Sequence, residues 1–153
     1  MSEFTMEELA PLIQEVVASE GEFRLFPRGT SMLPLLRQGV DSVALVALHR
    51  EPKRGDVLLY QRTDGAYVLH RLMKVKKDGS LVFSGDNHLE LEYGIQKDQL
   101  LALVSAVYRK DKKKSMKGWG LRLYSFFMTV SWWKKLLQRI RFFLAKIRKK
   151  RGE

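Results

Sequence analysis

The sequence predicts a mainly β domain, a compact and partly open barrel, set between a short N-terminal helix and a long amphipathic C-terminal helix. Three observations predict it. Short runs rich in Val, Leu, Tyr and Phe recur between residues 23 and 108, separated by turn residues. Before and after that region the apolar positions fall instead at steps of three and four. Charge divides at the same place: residues 1–108 hold 12 Lys/Arg against 15 Asp/Glu, and residues 109–153 hold 16 against 2. The net charge of +11 therefore belongs to a basic appendage on a mildly acidic body, an arrangement suited to an anionic surface.

The chain of 153 residues is long enough for one core. Residues 1–20 form the first unit. Thr5 and Glu8 make a capping box, and Leu9, Leu12, Ile13, Val16 and Val17 share one helical face. Pro11 predicts a kink there, and Gly21 ends the helix. Residues 21–109 form the β domain, with strands at 23–26, 42–48, 57–62, 66–75, 81–84 and 100–108 and hairpin turns at Asp64-Gly65 and Asp78-Gly79. Residues 110–118, KDKKKSMK and a glycine, read as a basic linker. Residues 119–153 read as one basic amphipathic helix.

The absence of cysteine removes disulfides, a thiolate nucleophile and cysteine metal sites. His49, His70 and His88 have no metal-ligand spacing, no HExxH occurs, and no glycine-rich phosphate loop leads from a strand into a helix. Neither a metal nor another cofactor is expected. The acidic start, with Glu3, Glu7, Glu8, Glu15 and Glu20, predicts neither a secretory signal nor an N-terminal span.

The residues of chemical interest begin at Gly29-Thr30-Ser31-Met32-Leu33-Pro34. A serine hydroxyl attacks a carbonyl only beside a base that takes its proton and donors that hold the oxyanion. Gly29 and Pro34 bracket Ser31 with residues that allow or impose unusual backbone angles, which frees its N–H for that purpose. His70 lies in a strand whose parity sets Tyr67, Leu69, Arg71 and Met73 against Val68, His70, Leu72 and Lys74. A neutral imidazole, with an ordinary pKa near 6.5, accepts a proton at neutral pH. Asp56 reads as a turn cap and Arg71 as half of a structural ion pair.

The order Ser31-Met32, Gly39-Val40-Asp41, Arg54-Gly55-Asp56, His70-Arg71 and Ser84-Gly85-Asp86-Asn87 resembles the S24/S26 serine peptidases, which include type I signal peptidases and LexA-like repressors. The resemblance covers about residues 21–108. It implies a signal peptidase/LexA-like β fold, with Ser31 as nucleophile and His70 standing where most bacterial members carry a lysine base. It also implies Asp86 as the acid behind the imidazole, with Glu92 the fallback because the endoplasmic-reticulum type carries acids a few positions further on. Ser31 and Thr30 would supply the oxyanion site. Gly29 stands where many signal peptidases carry a helping hydroxyl.

The tail is expected to lie on a membrane. Leu123, Phe126, Phe127, Val130, Trp133, Leu137, Ile140, Leu144 and Ile147 make a stripe, but the longest uncharged run, residues 123–133, is short of the roughly 20 residues needed to span. Trp119, Phe126, Phe127, Trp132, Trp133, Lys134, Lys135 and Arg139 are the expected contacts with an anionic surface. A helix that docks its stripe on the body is the alternative, and nucleic acid is the disfavoured partner, since the stripe is more apolar than phosphate binding requires.

The function these features imply is a serine endopeptidase of signal peptidase type. It would cut the leader or signal region of an exported or membrane-associated polypeptide, from a peripheral position on the cytoplasmic side. The alternatives are a catalytically inactive peptidase fold acting as a membrane-bound binding module, and a LexA-like regulatory domain. The latter lacks a DNA-binding domain and an Ala-Gly or Cys-Gly dipeptide to cleave.

Overall fold

The computed structural model describes residues 4–151, with the side chains of 150 and 151 excepted. Helix α1 (Met6–Ala18) begins at the expected capping box: the Thr5 side chain accepts the Glu8 N–H, and Glu8 accepts the Thr5 N–H at 2.8 Å. Pro11 lies inside this helix, and Ala10, Ile13 and Val17 are its buried face. Residues 1–3 of the predicted unit lie outside the described residues.

Eight strands follow among the described residues: β1 (Phe23–Leu25), β2 (Asp41–Val46), β3 (Val57–Gln61), β4 (Tyr67–Val75), β5 (Leu81–Ser84), β6 (Glu92–Ile95), β7 (Leu100–Arg109) and β8 (Lys112–Ser115). They form one antiparallel sheet in the order β1-β2-β7-β3-β4-β5-β6, with β8 added to the end of β7. The chain is thus mixed in class and mostly sheet, and the sheet does not close into a barrel. Asp64 and Asp78 each accept the N–H two residues on, and Gly65 (φ 90°) and Gly79 (φ 85°) complete the two expected hairpins.

The middle of the sheet is buried on both faces. Val57 and Leu59 of β3 enter a core with Ile13, Val17, Met32, Leu36, Leu45 and Val104, whereas Leu58 and Tyr60 enter a second core with Leu72, Leu81, Phe83 and Ile95. Two-residue alternation along β3 thus feeds both cores.

Two elements depart from expectation in the tail. The basic linker is a hairpin strand, since residues 112–115 pair with residues 106–109 across a turn in which Lys110 (φ 47°) and Asp111 (φ 61°) are left-handed. Its side chains are all exposed, and lysines are tolerated on such an edge. The single long helix is two, α2 (Trp119–Met128) and α3 (Ser131–Arg151), with residues 152 and 153 outside the described residues. The break has a local cause: Arg54 donates to the Thr129 carbonyl at 2.9 Å, and the Thr129 hydroxyl donates to the Phe126 carbonyl at 2.7 Å. Both bonds take acceptors that a continuous helix would use. No helix among the described residues is long and apolar enough to cross a membrane.

Candidate active site

Ser31 begins the turn after β1. Gly29, left-handed at φ 85°, fixes the entry and donates its N–H to the Gln38 side chain at 2.8 Å. Met32, Leu35 and Leu36 anchor the other side in the core. Ser31 is half-buried, and neither its hydroxyl nor its N–H is hydrogen-bonded to another described residue, while its carbonyl accepts the Asn87 N–H at 2.8 Å. The backbone donor of a potential oxyanion site is therefore available. Thr30 is exposed, and its carbonyl accepts the Leu33 N–H.

Residues 84–87 bring Ser31 and His70 together. A methyl group on Gly85 would lie 2.5 Å from the Ser31 carbonyl oxygen and 3.2 Å from His70 Nε2, so both pack against the same glycine. His70 is 7% exposed, and its Nε2 has no hydrogen-bond partner among the described residues. Since every fully buried side-chain polar atom among the described residues does have one, Nε2 faces accessible space. The Ser31 backbone and His70 Nε2 are neighbours around Gly85, and the Ser31 hydroxyl is not hydrogen-bonded to Nε2.

Asp86 does not stand behind the imidazole. Its two oxygens accept Arg71 Nε and Nη2, both at 2.7 Å, and it also accepts the Tyr124 hydroxyl at 2.9 Å. Strand alternation explains the correction: Arg71 follows His70 and points to the opposite face, so a carboxylate held by its fork is on the wrong side. Arg71 is fully buried, and its Nη1 donates to the Gly55 carbonyl and to Ser125 Oγ. The expected structural ion pair thereby becomes a clamp among β4, the turn before β3 and α2. Asp56 caps that turn, accepting the Lys53 N–H at 2.7 Å.

The acid on the imidazole side is Glu92, at the start of β6. Its Oε2 lies 3.9 Å from His70 Nδ1 and accepts the Tyr60 hydroxyl at 2.7 Å. The Tyr60 oxygen is in turn 3.4 Å from Nδ1. Because the Tyr60 proton goes to Glu92, its lone pair faces Nδ1, which favours the tautomer with hydrogen on Nδ1 and leaves Nε2, beside Gly85, with its lone pair unprotonated. Burial pushes the His70 pKa down to about 4, with Glu92 opposing and His88, Arg62 and Lys134 assisting. The imidazole is thus neutral at neutral pH. Burial by itself would raise the Glu92 carboxyl, but hydrogen bonds from Arg62 (2.6 and 2.8 Å) and Tyr60 outweigh it and hold the group low.

Lys134 is not a membrane contact. It is 2% exposed, and its Nζ donates to Ser84 Oγ at 2.8 Å beside the candidate site. Burial lowers its pKa to about 8, partly offset by Asp86. Phe127 and Trp133 are half-buried against each other, centroids 4.9 Å apart. Trp119, Phe126, Trp132, Lys135 and Arg139 are exposed as expected. Sequence reading did not assign Tyr60, Lys134 or Tyr124 to the site. Tyr60 is one apolar-looking position of an apolar strand, and Tyr124 and Lys134 lie on α2 and α3, whose docking no local pattern reveals.

A cavity of about 130 Å3 opens beside Ser31, lined by Arg28, Gly29, Met32, Tyr67 and Leu69 among others. The first residues of β4 pair with β3 on one side only, since pairing with β5 begins at Arg71. Residues 67–70 thus have a strand partner on one side only, and Tyr67, Val68 and Leu69 of this edge line the cavity.

Comparisons of the chain with protein-family models, with curated proteins and with solved structures find no match.

Proposed function

We propose that this chain is a serine endopeptidase resembling the His-dependent signal peptidases of the S24/S26 group, acting on a leader or signal segment of a membrane-associated polypeptide. The observation that carries the reading is the shared packing of Ser31 and His70 Nε2 against Gly85, with Glu92 and Tyr60 on the far nitrogen. An extended substrate would add to the free edge of β4, with main-chain bonds giving affinity and the cavity reading a side chain. In this reading the Ser31 hydroxyl turns to meet Nε2 when substrate binds. The hydroxyl then attacks the peptide carbonyl, its proton passes to Nε2, and the Ser31 N–H holds the oxyanion. The imidazolium formed sits 3.9 Å from Glu92, which stabilises it before the proton goes to the leaving amine. Water then hydrolyses the acyl-serine by the same base.

The tail supports a peripheral position on an anionic surface, through Trp119, Phe126, Trp132, Lys135 and Arg139. The second reading, a membrane-bound binding module, is favoured by one fact: the two reacting atoms are not hydrogen-bonded in the free chain. Mass spectrometry of a peptide mixture incubated with wild type, Ser31→Ala and His70→Ala separates the two. Cleavage by wild type alone is expected. Cleavage by Ser31→Ala at the wild-type rate refutes the peptidase, and a wild type that binds peptides without cutting them favours the module.

A further inference from the structure

Helix α3 has two faces with different tasks. Lys134, Gln138 and Arg141, spaced i, i+4 and i+7, point to the body: Lys134 donates to Ser84 Oγ at 2.8 Å, Gln138 to the Asn87 carbonyl at 2.7 Å, and Arg141 to Asn87 Oδ1 at 2.7 Å. Asn87 in turn holds the Ser31 carbonyl, and Gly85 lies between Ser31 and His70. The helix therefore grips the segment that brings the candidate serine and histidine together.

No described residue covers the opposite face. Trp132 (62% exposed), Leu136 (40%), Ile140 (46%), Phe143 (63%) and Ile147 (37%) form a continuous apolar stripe. Leu136 is two residues past Lys134, a rotation of about 200°, so the stripe and the grip are nearly opposed and can be engaged together. Residues 131–151 carry nine Lys/Arg and no Asp/Glu. Residues 142–149 are all exposed, so this half of the helix projects without packing on the body. A helix of that length with one face unpartnered gains most of its stability from a surface that takes the face. Its chemistry, an apolar stripe in a wholly basic frame, matches an anionic lipid surface.

The geometry points to a surface-coupled site: an anionic bilayer takes the outer face of α3, and the helix so held fixes residues 84–87, Ser31 and His70 through its inner face. This regulatory step rests on the membrane reading of the tail and is independent of catalysis.

Amide hydrogen exchange of the full chain tests it, with vesicles of phosphatidylglycerol and phosphatidylcholine, with phosphatidylcholine alone, and with a DNA duplex. On the anionic vesicles the peptides covering residues 84–92 are expected to exchange about tenfold more slowly, together with α3. Gln138→Ala/Arg141→Ala keeps vesicle binding and loses the slowing in 84–92. Leu136→Ser/Ile140→Ser loses binding and leaves 84–92 at the vesicle-free rate, while unchanged exchange in β2 and β7 shows that each variant is folded. Equal binding to neutral vesicles, the same slowing on DNA, or exchange in 84–92 that is unchanged or faster on the anionic vesicles overturns the proposal. Since no turnover is read, Ser31→Ala should respond as wild type does, so failure of the peptidase reading and failure of this coupling are told apart.

Discussion

Replacing His70 by glutamine should remove a specific acid sensitivity from the fold. The wild-type imidazole titrates at about 4 in the folded chain, against an ordinary value of 6.5, because burial disfavours its charged form. That difference is worth about 3 kcal/mol. The sign follows from proton uptake. Above pH 6.5 both states carry a neutral ring and the term is constant. As pH falls through that value toward 4 the unfolded chain binds a proton that the folded chain refuses, so folding stability declines, and the loss is complete below the folded value. His70→Gln has no such proton. Urea unfolding of both proteins between about pH 8 and pH 4.5 gives a difference curve from which the carboxylates shared by both chains cancel. It should be flat at the alkaline end and then fall by about 1.4 kcal/mol per pH unit in the wild type's disfavour. A difference curve flat to within ~1 kcal/mol would mean that the His70 ring is solvated and not held neutral beside Ser31, and the base assignment would lose its electrostatic support. Proton NMR of the three histidines gives an independent reading, since one ring should stay neutral to about pH 4 and go lower still in Glu92→Gln, where the opposing charge is gone.

The remaining predictions concern the supports of the site. Arg71→Met leaves Asp86 buried without its fork and should cost about 3–5 kcal/mol in chemical unfolding. Tyr60→Phe keeps the ring stacked on Phe83, centroids 4.4 Å apart, so stability should change by only about 1 kcal/mol. Peptide cleavage should nevertheless fall by about tenfold or more, because Nδ1 loses the group that sets its tautomer. Equal cleavage by Tyr60→Phe would remove that role. Gly85→Ala puts a methyl 2.5 Å from a backbone oxygen that has no rotamer to escape through, so it should displace Ser31 and abolish cleavage even where circular dichroism shows a folded sheet.

Much of the fold could be read from the chain because its cues are local. The capping box at Thr5 and Glu8, the Asp-Gly turns and the two-residue alternation of β3 and β4 each act within a few residues. The strand at 92–95 escaped because Gly94, left-handed at φ 81°, interrupts a run too polar to signal a strand. The strand at 112–115 escaped because four exposed residues on an edge need no apolar pattern. At the site, the motif order pointed to Ser31 and His70, whose backbone and imidazole pack against the same Gly85, while the acid preferred from sequence, Asp86, is bound by Arg71 and the fallback Glu92 lies by the imidazole. The sequence favoured Asp86 over Glu92, but the choice depends on which face of β4 each reaches, which motif order does not encode.

The sequence by itself determined the antiparallel, mostly β body, the hairpin turns, the capped first helix and the concentration of positive charge after residue 108, since periodicity, turn chemistry and charge are properties of neighbours along the chain. Only the tertiary structure decided that Asp86 belongs to Arg71, that Tyr60 and Glu92 face the imidazole, and that Lys134 turns inward while Trp132 turns outward. Those outcomes depend on which surfaces meet when distant segments pack. A buried charge is tolerated only where the fold delivers a partner, and residues 50 positions away supply it.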